Sequence, residues 1–262
     1  MFEFINYGTN TLQIFLLVLL RASGLFLMAP VFSDKSIPTQ VRVGLLILVS
    51  GLVVSAINHP TLPEMSSLWQ LAGLAAKEIF VGVVIGLTFR LLFMGIKTGG
   101  GILGYQIGFA MFNLPDVNTS DQVSIISRLW YLIAIVIFFT VNGHHLVLSA
   151  FTDSYLVMPP GLVRTGSSAG ELMIKYTAYV FVIAVKVAAP IMITLFLTDI
   201  ALGTIAKTMP TMNVFFVGFP IKITVGLSVL ALSLPLFAYV MQKVMAYLDG
   251  ELRVIYRAMG EA

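Results

Sequence analysis

The sequence predicts an all-α membrane protein of about six hydrophobic, partly broken helices, and three observations carry that expectation. Of 262 residues, 58% are hydrophobic and only 10% charged, whereas a soluble domain carries about 25% charged residues. The mean hydropathy is +0.98, and a water-soluble chain this apolar would need a core larger than its volume allows. The apolar residues also gather in long stretches, at 11–32, 42–58, 68–96, 129–151, 172–206 and 213–248.

Two stretches read as clean spans. No Asp, Glu, Lys or Arg lies between Arg42 and Glu64, nor between Arg128 and Asp153. At ~1.5 Å per residue each is long enough to cross a hydrocarbon core of roughly 30 Å. The other four carry charges or prolines: Arg21 in the first, Lys77, Glu78 and Arg90 in the third, Lys186 and Asp199 in the fifth, Lys222 and Pro235 in the sixth. A central charge costs at least ~2.5–3.5 kcal/mol on insertion scales, so such residues face protein or water. So many in a small chain point to a surface covered by other subunits.

Glycine spacing points the same way. Gly82 and Gly86 are four apart, as are Gly95 and Gly99, and then Gly100, Gly104 and Gly108. On a helix this makes a smooth stripe where another backbone can approach closely. The start, "MFEFINYGTN", has no positive n-region and carries Glu3, so a cleavable leader is not expected.

Polar connectors separate the stretches. In "GFAMFNLPDVNTSDQVSIISR" (108–128), Phe109, Met111 and Phe112 lead into Pro115, Asp116 and a polar cluster, which is turn chemistry. The second connector, "MPPGLVRTGSSAG" (158–170), reads as a solvated linker. A faint internal echo pairs "PTQVRVGLLILVSG" with "PIKITVGLSVLALS".

Enzymatic chemistry finds no foothold. His144 and His145 are helical neighbours pointing about 100° apart, with no i+4 partner and no His-Glu-x-x-His pattern anywhere. No serine stands in a nucleophile-elbow setting, and the triple glycine Gly99–Gly101 lacks the lysine of a phosphate loop. The absence of cysteine excludes disulfides and thiolate chemistry. No cofactor, no metal and no nucleic acid is expected.

The last two stretches form a hairpin if the chain bends at Pro210-Thr211, within Met209, Pro210, Thr211 and Met212. That fold puts Asp199 opposite Lys222, and it sets Asp199, Gly203 and Lys207 on one helical face. An ion pair offsets part of the cost of burying both charges. The other possibility is that each residue sits at a lipid–water boundary and pairs with nothing. Gly218-Phe219-Pro220 reads as a break in the returning arm. The charges expected to be buried or to serve assembly are Asp199, Lys222, Lys207, Lys186, Glu78 and Arg90.

Four segments resemble one family. "TMPTMNVFFVGFPIKITVGLSVL" resembles the late signature of the FliR family, the flagellar type III export-gate proteins, to which virulence-system subunits are related. "LLRASGLFLMAPVFSDKSIPTQVRVGL" is similar to the family's opening, "GGGILGYQIGFAMFNLPD" to its central loop, and "FFTVNGHHLVL" to its Asn-Gly-His segment. Gly99-Gly100-Gly101 and His145 depart from the pattern.

The resemblance implies a hetero-oligomeric channel in the bacterial inner (cytoplasmic) membrane, within the flagellar basal body, much of it above the membrane plane on the periplasmic side. It implies a FliP-like part over 1–170, with a plug loop near 108–122, and a FliQ-like hairpin and tail over 171–262. The implied partners are FliP-type and FliQ-type subunits, an FlhB-type component near Met209–Met212, translocated flagellar proteins and membrane lipid. Carried over by position, Phe109, Ala110, Met111, Phe112, Asn113, Leu114, Pro115 and Asp116 lie at or near the constriction. The expectation is therefore a structural and gating subunit, not an enzyme. A second reading fits the intramembrane Asp and Lys residues and broken helices as well: a secondary transporter of small solutes or ions.

Overall fold

The computed structural model describes residues 2–34, 37–57, 68–108, 114–115, 122–123, 125–162, 168–209, 211 and 213–260. Among these residues the chain forms seven helices: α1 (Phe2–Met28), α2 (Thr39–Ala56), α3 (Leu68–Ile107), α4 (Ile125–Thr140), α5 (Gly143–Val157), α6 (Ser168–Thr208) and α7 (Val214–Gly260). Two-residue strands β1 (Leu114–Pro115) and β2 (Gln122–Val123) lie between α3 and α4. Among the described residues five helices are long and apolar enough to cross a membrane, or six spans if the pair α4–α5 counts as one broken crossing. The chain is thus an all-α membrane protein with one minimal ladder.

Three helices exceed what a bilayer needs. α3, α6 and α7 have 40, 41 and 47 residues, which at ~1.5 Å per residue is roughly 60–70 Å against a hydrocarbon core of roughly 30 Å.

The chain divides into two compact units that interleave along the sequence. One comprises Met1–Leu91, Asn142–Tyr176 and Met245–Ala262, the other Leu92–Val141 and Thr177–Val244.

The first unit is organised round a buried ion pair. Arg21 and Glu78 are both fully buried, with Nε 2.7 Å from Glu78 Oε2. Arg21 Nη1 donates to Ser154 Oγ and Nη2 to the Met158 carbonyl, each at 2.9 Å. The other Glu78 oxygen accepts the Gly161 N–H at 2.8 Å. The Tyr155 ring lies 4.0 Å below the guanidinium. One cation thereby joins α1, α3, α5 and the turn that follows α5.

Glycine lets α1 and α3 come close enough for this. A β-carbon on Gly82 would run into the Arg21 carbonyl, and one on Gly86 would stand 2.8 Å from the Leu25 carbonyl. Gly24 makes the reciprocal approach from α1, 2.9 Å from the Val83 nitrogen by the same measure. Backbones this near leave no space for side chains. The end of α7 completes the unit, with Tyr256 Oη donating to the Ala150 carbonyl at 2.8 Å.

The second unit packs aromatics and small residues. Trp130 is fully buried and stacks on Phe237, with ring centroids 4.7 Å apart. A β-carbon on Gly100 would stand 2.9 Å from both Ser127 Cα and Trp130 Cβ, and one on Gly99 would meet the Ala184 carbonyl at 2.8 Å. Ser127 Oγ donates to the Lys97 carbonyl at 2.7 Å, fastening α4 to α3.

Three expectations are corrected. The clean span between Arg128 and Asp153 is two helices, because Asn142 takes a left-handed conformation (φ 57°) and ends the continuity. Asparagine tolerates that region better than most residues, and the Asn142 carbonyl accepts the His145 and Leu146 N–H groups at 3.0 and 3.3 Å. The start of the 158–170 connector is not simply solvated: Met158, Pro160 and Gly161 are buried, and the Met158 carbonyl and Gly161 N–H serve Arg21 and Glu78. Finally, α7 runs unbroken through Pro220 and Pro235. Membrane helices accommodate proline when nearby groups re-satisfy the backbone it frees.

The buried pair yields a stability prediction. Arg21→Met or Glu78→Met alone strands a charge in the core and should cost about 3–5 kcal/mol. The double variant should lose no more than either single one, because no unpaired charge remains. Thermal unfolding of the detergent-purified protein measures this, and additive losses would show that the two residues act independently.

Candidate gating site

The residues carried over as a plug emerge from the end of α3. Ile107 is fully buried there, and Gly108 follows at φ +94° with its N–H donating to the Tyr105 carbonyl at 3.1 Å. A positive φ just after a helix is glycine's usual place, since it costs no β-carbon strain. The chain returns through β1 and β2, an antiparallel ladder pairing Leu114 with Val123 and Pro115 with Gln122. The ladder closes a loop between α3 and α4. Phe109, Ala110, Met111, Phe112, Asn113 and Asp116 lie outside the described residues, while Leu114 and Pro115 form β1.

Beside this root stands the α6–α7 hairpin. α6 ends at Thr208 and α7 starts at Val214, so the bend falls at the expected place. Met209 and Thr211 are exposed in it; Pro210 and Met212 lie outside the described residues. The Thr208 hydroxyl donates back to the Thr204 and Ile205 carbonyls at 3.2 and 3.0 Å, closing the last turn of α6.

The hairpin arms are tied by charge and by packing. Lys222 Nζ pairs with Asp199 Oδ1, their side chains 26% and 46% exposed. One turn nearer the bend, a β-carbon on Gly218 would meet Leu202 Cδ1 at 3.1 Å. The structure therefore brings Asp199 and Lys222 together. Their partial exposure leaves the pair screened by solvent and modest in its contribution.

The same face of α7 meets the loop root. A β-carbon on Gly108 would stand 2.9 Å from Phe219 Cε2 and 3.2 Å from Cδ2, so the ring lies directly against the backbone there. One on Gly226 would stand 2.9 Å from Ile107 Cδ1 and Cγ1. Phe219, Lys222 and Gly226 follow at i, i+3 and i+7, the spacing of one helical face. Sequence reasoning quoted Phe219 only as part of an expected break. Its helical register with Lys222 was the available signal.

The remaining candidates scatter. Glu78 is buried against Arg21, in the first unit. Arg90 is exposed and donates to Met28 Sδ at 3.3 Å. Lys186 and Lys207 are exposed on α6. Of the six charges singled out, only Glu78 is fully buried within the chain itself. Gly100 and Gly104 are buried and Gly108 half-buried. His144 and His145 stand with ring centroids 4.5 Å apart at the start of α5, and among the described residues no group of three or more potential ligands could hold a metal ion.

Comparison with known proteins places this geometry in context. A model of the bacterial export proteins, family 1, matches residues 12–248. The flagellar biosynthetic protein FliR of Bacillus subtilis (strain 168) is 30% identical, with 94% of this chain and 95% of that protein covered. The flagellar biosynthetic protein FliR of Escherichia coli (strain K12) is 28% identical, covering 87% and 86%. That of Aquifex aeolicus (strain VF5) is 28% identical over 81% of each chain.

Exchanging the hairpin charges tests their pairing. Asp199→Lys and Lys222→Asp should each lower the amount of folded protein recovered from membranes. The combined exchange should recover part of the loss, as read by quantitative immunoblotting. A double variant no better than either single one would show that the two charges act separately.

Proposed function

We propose that this chain, which belongs to the bacterial export proteins, family 1, and to the FliR family within them, is a structural and gating subunit of the flagellar protein-export channel. The coarser part, an integral membrane component of flagellar export, follows from the family and from the apolar helices. The finer part is that this subunit contributes one wall of the pore and a plug, past which unfolded flagellar proteins move.

The observation that carries the gating reading is the loop closed by β1 and β2 and rooted at Gly108, where α7 packs against both root residues. Its apolar residues suit the task. Flexible Met111 and bulky Phe109 and Phe112 can close round an empty passage and yield to a chain moving through it. A dewetted apolar collar also blocks ions.

Assembly follows from the surface. Large apolar residues such as Phe196, Leu197, Phe216 and Leu232 are more than half exposed, on helices that also carry exposed cations. Helices roughly twice as long as the hydrocarbon core cannot meet lipid along their whole length. FliP-type and FliQ-type subunits would cover them, with much of the channel above the membrane on the periplasmic side. The segment 1–170 would stand in for a FliP-type neighbour and 171–262 for a FliQ-type one. The bend at Met209–Met212 would lie near the cytoplasmic entrance and an FlhB-type component. Energy coupling would reside in other components, and this chain would act without a cofactor and not as an enzyme.

Deleting residues 109–116 is the test. The complex should still assemble, and membranes containing it should conduct small ions at rest. Met111→Ala with Phe112→Ala should leak less than the deletion. Unchanged conductance in the deletion would mean that the plug lies elsewhere.

A further inference from the structure

We infer that the outer face of α6 docks an apolar helix of a neighbouring subunit, whose carboxylates pair with Lys186 and Lys207. The inference rests on the reading that other subunits cover this chain, and it supplies the sign of the charge they bring. The face lies within one compact unit.

Lys186, Ile193, Leu197, Ile200, Thr204 and Lys207 follow at i, i+7, i+11, i+14, i+18 and i+21 along α6. At 3.6 residues per turn they fall within about 80° of one another, so they share one face. All six are exposed, and the three large apolar ones are more than half exposed. The Thr204 hydroxyl already donates to the Ile200 carbonyl at 2.9 Å. Of these six side chains, the two ammonium groups are the ones still in need of an acceptor.

The chain's own carboxylates are engaged elsewhere. Among the described residues, Asp199 is held by Lys222, Asp153 and Asp249 by Arg253, and Glu78 by Arg21. Asp34 and Glu251 also have partners. Neither Lys186 nor Lys207 forms an ion pair among the described residues. A cation on an apolar helix faces protein or water, and a partner surface of opposite charge is what such a face selects. The partner's helix is therefore apolar along its middle, with an Asp or Glu opposite each lysine.

Lipid is the other occupant that this face could take. Lys186 and Lys207 stand twenty-one residues apart, about 32 Å along a helix. Each ammonium would then reach a headgroup layer across a hydrocarbon core of roughly 30 Å. The hairpin's own ion pair argues against that placement. Asp199 lies about 20 Å from Lys186 and about 12 Å from Lys207 along the helix. Lipid on both sides would put this carboxylate, 46% exposed, deep in hydrocarbon, where a charge is costly.

The experiment treats the particle purified through the full chain from its native membranes with a carbodiimide. The reagent activates a carboxylate, the lysine amine displaces it to form an amide, and the carbodiimide leaves as its urea. Only groups in contact are joined. Peptide mass spectrometry should find Lys186 and Lys207 linked to Asp or Glu on an apolar helix of another subunit. Lys207→Arg should keep that subunit in the particle but lose the link at 207. Lys207→Glu should lower its recovery about tenfold, because like charges across an interface repel. Unchanged recovery with Lys207→Glu would overturn the charge pairing. A particle that keeps its neighbours yet carries no link at either lysine would overturn the docking, assign the face to lipid and leave assembly standing. Links only to carboxylates of this chain would overturn it as well. If no other subunit purifies with the unaltered chain, the covered surface and the docking fall together.

Discussion

A guanidinium cannot stay inside an apolar bundle unless its donors and its charge are answered there, and Arg21 sets the terms for the first unit. Its carboxylate partner comes from α3, its hydroxyl acceptor from α5 and its carbonyl acceptor from the turn beyond α5. Desolvating two charges costs several kcal/mol per ion, and only good geometry with additional hydrogen bonds repays it. That requirement explains why α1 and α3 meet through Gly24, Gly82 and Gly86. It explains equally why Met158 and Gly161 are drawn into the core.

The second unit follows a different rule. The ion pair on its α6–α7 hairpin is partly exposed, and rings pack there on glycine and on each other. Trp130 lies on Gly100 and Phe237, and Phe219 lies on Gly108. Contacts of this kind are non-directional and individually small, so they can part without stranding a charge.

Much of this was legible in the sequence, and the limits are physical. Composition alone specifies membrane helices, and the breakers at Pro210-Thr211 locate the hairpin closely enough to pair Asp199 with Lys222. Arg21 and Glu78 were each visible as misplaced charges, but their pairing depends on a tertiary approach between residues 57 apart, which local periodicity does not encode. Treating every buried charge as evidence for a neighbouring subunit therefore overreached for these two. Asn142-Gly143 is a turn dipeptide inside an apolar run, and hydropathy outweighed it. Pro220 erred in the opposite direction, since a membrane helix keeps its course through a proline that would end a soluble one.

What stays unanswered within the chain is its outer surface. Leu12, Leu52, Ile193, Phe196, Phe216 and Leu232 are half or more exposed, and Lys186 and Lys207 share α6 with two of them. Lipid would accept the first group and reject the second, whereas protein partners can serve both. The deciding measurement is the native mass and subunit content of the particle purified through this chain from membranes that also contain FliP-type and FliQ-type proteins. A covered surface predicts a stable hetero-oligomer with both of them. A functional monomer or symmetric homodimer would contradict it.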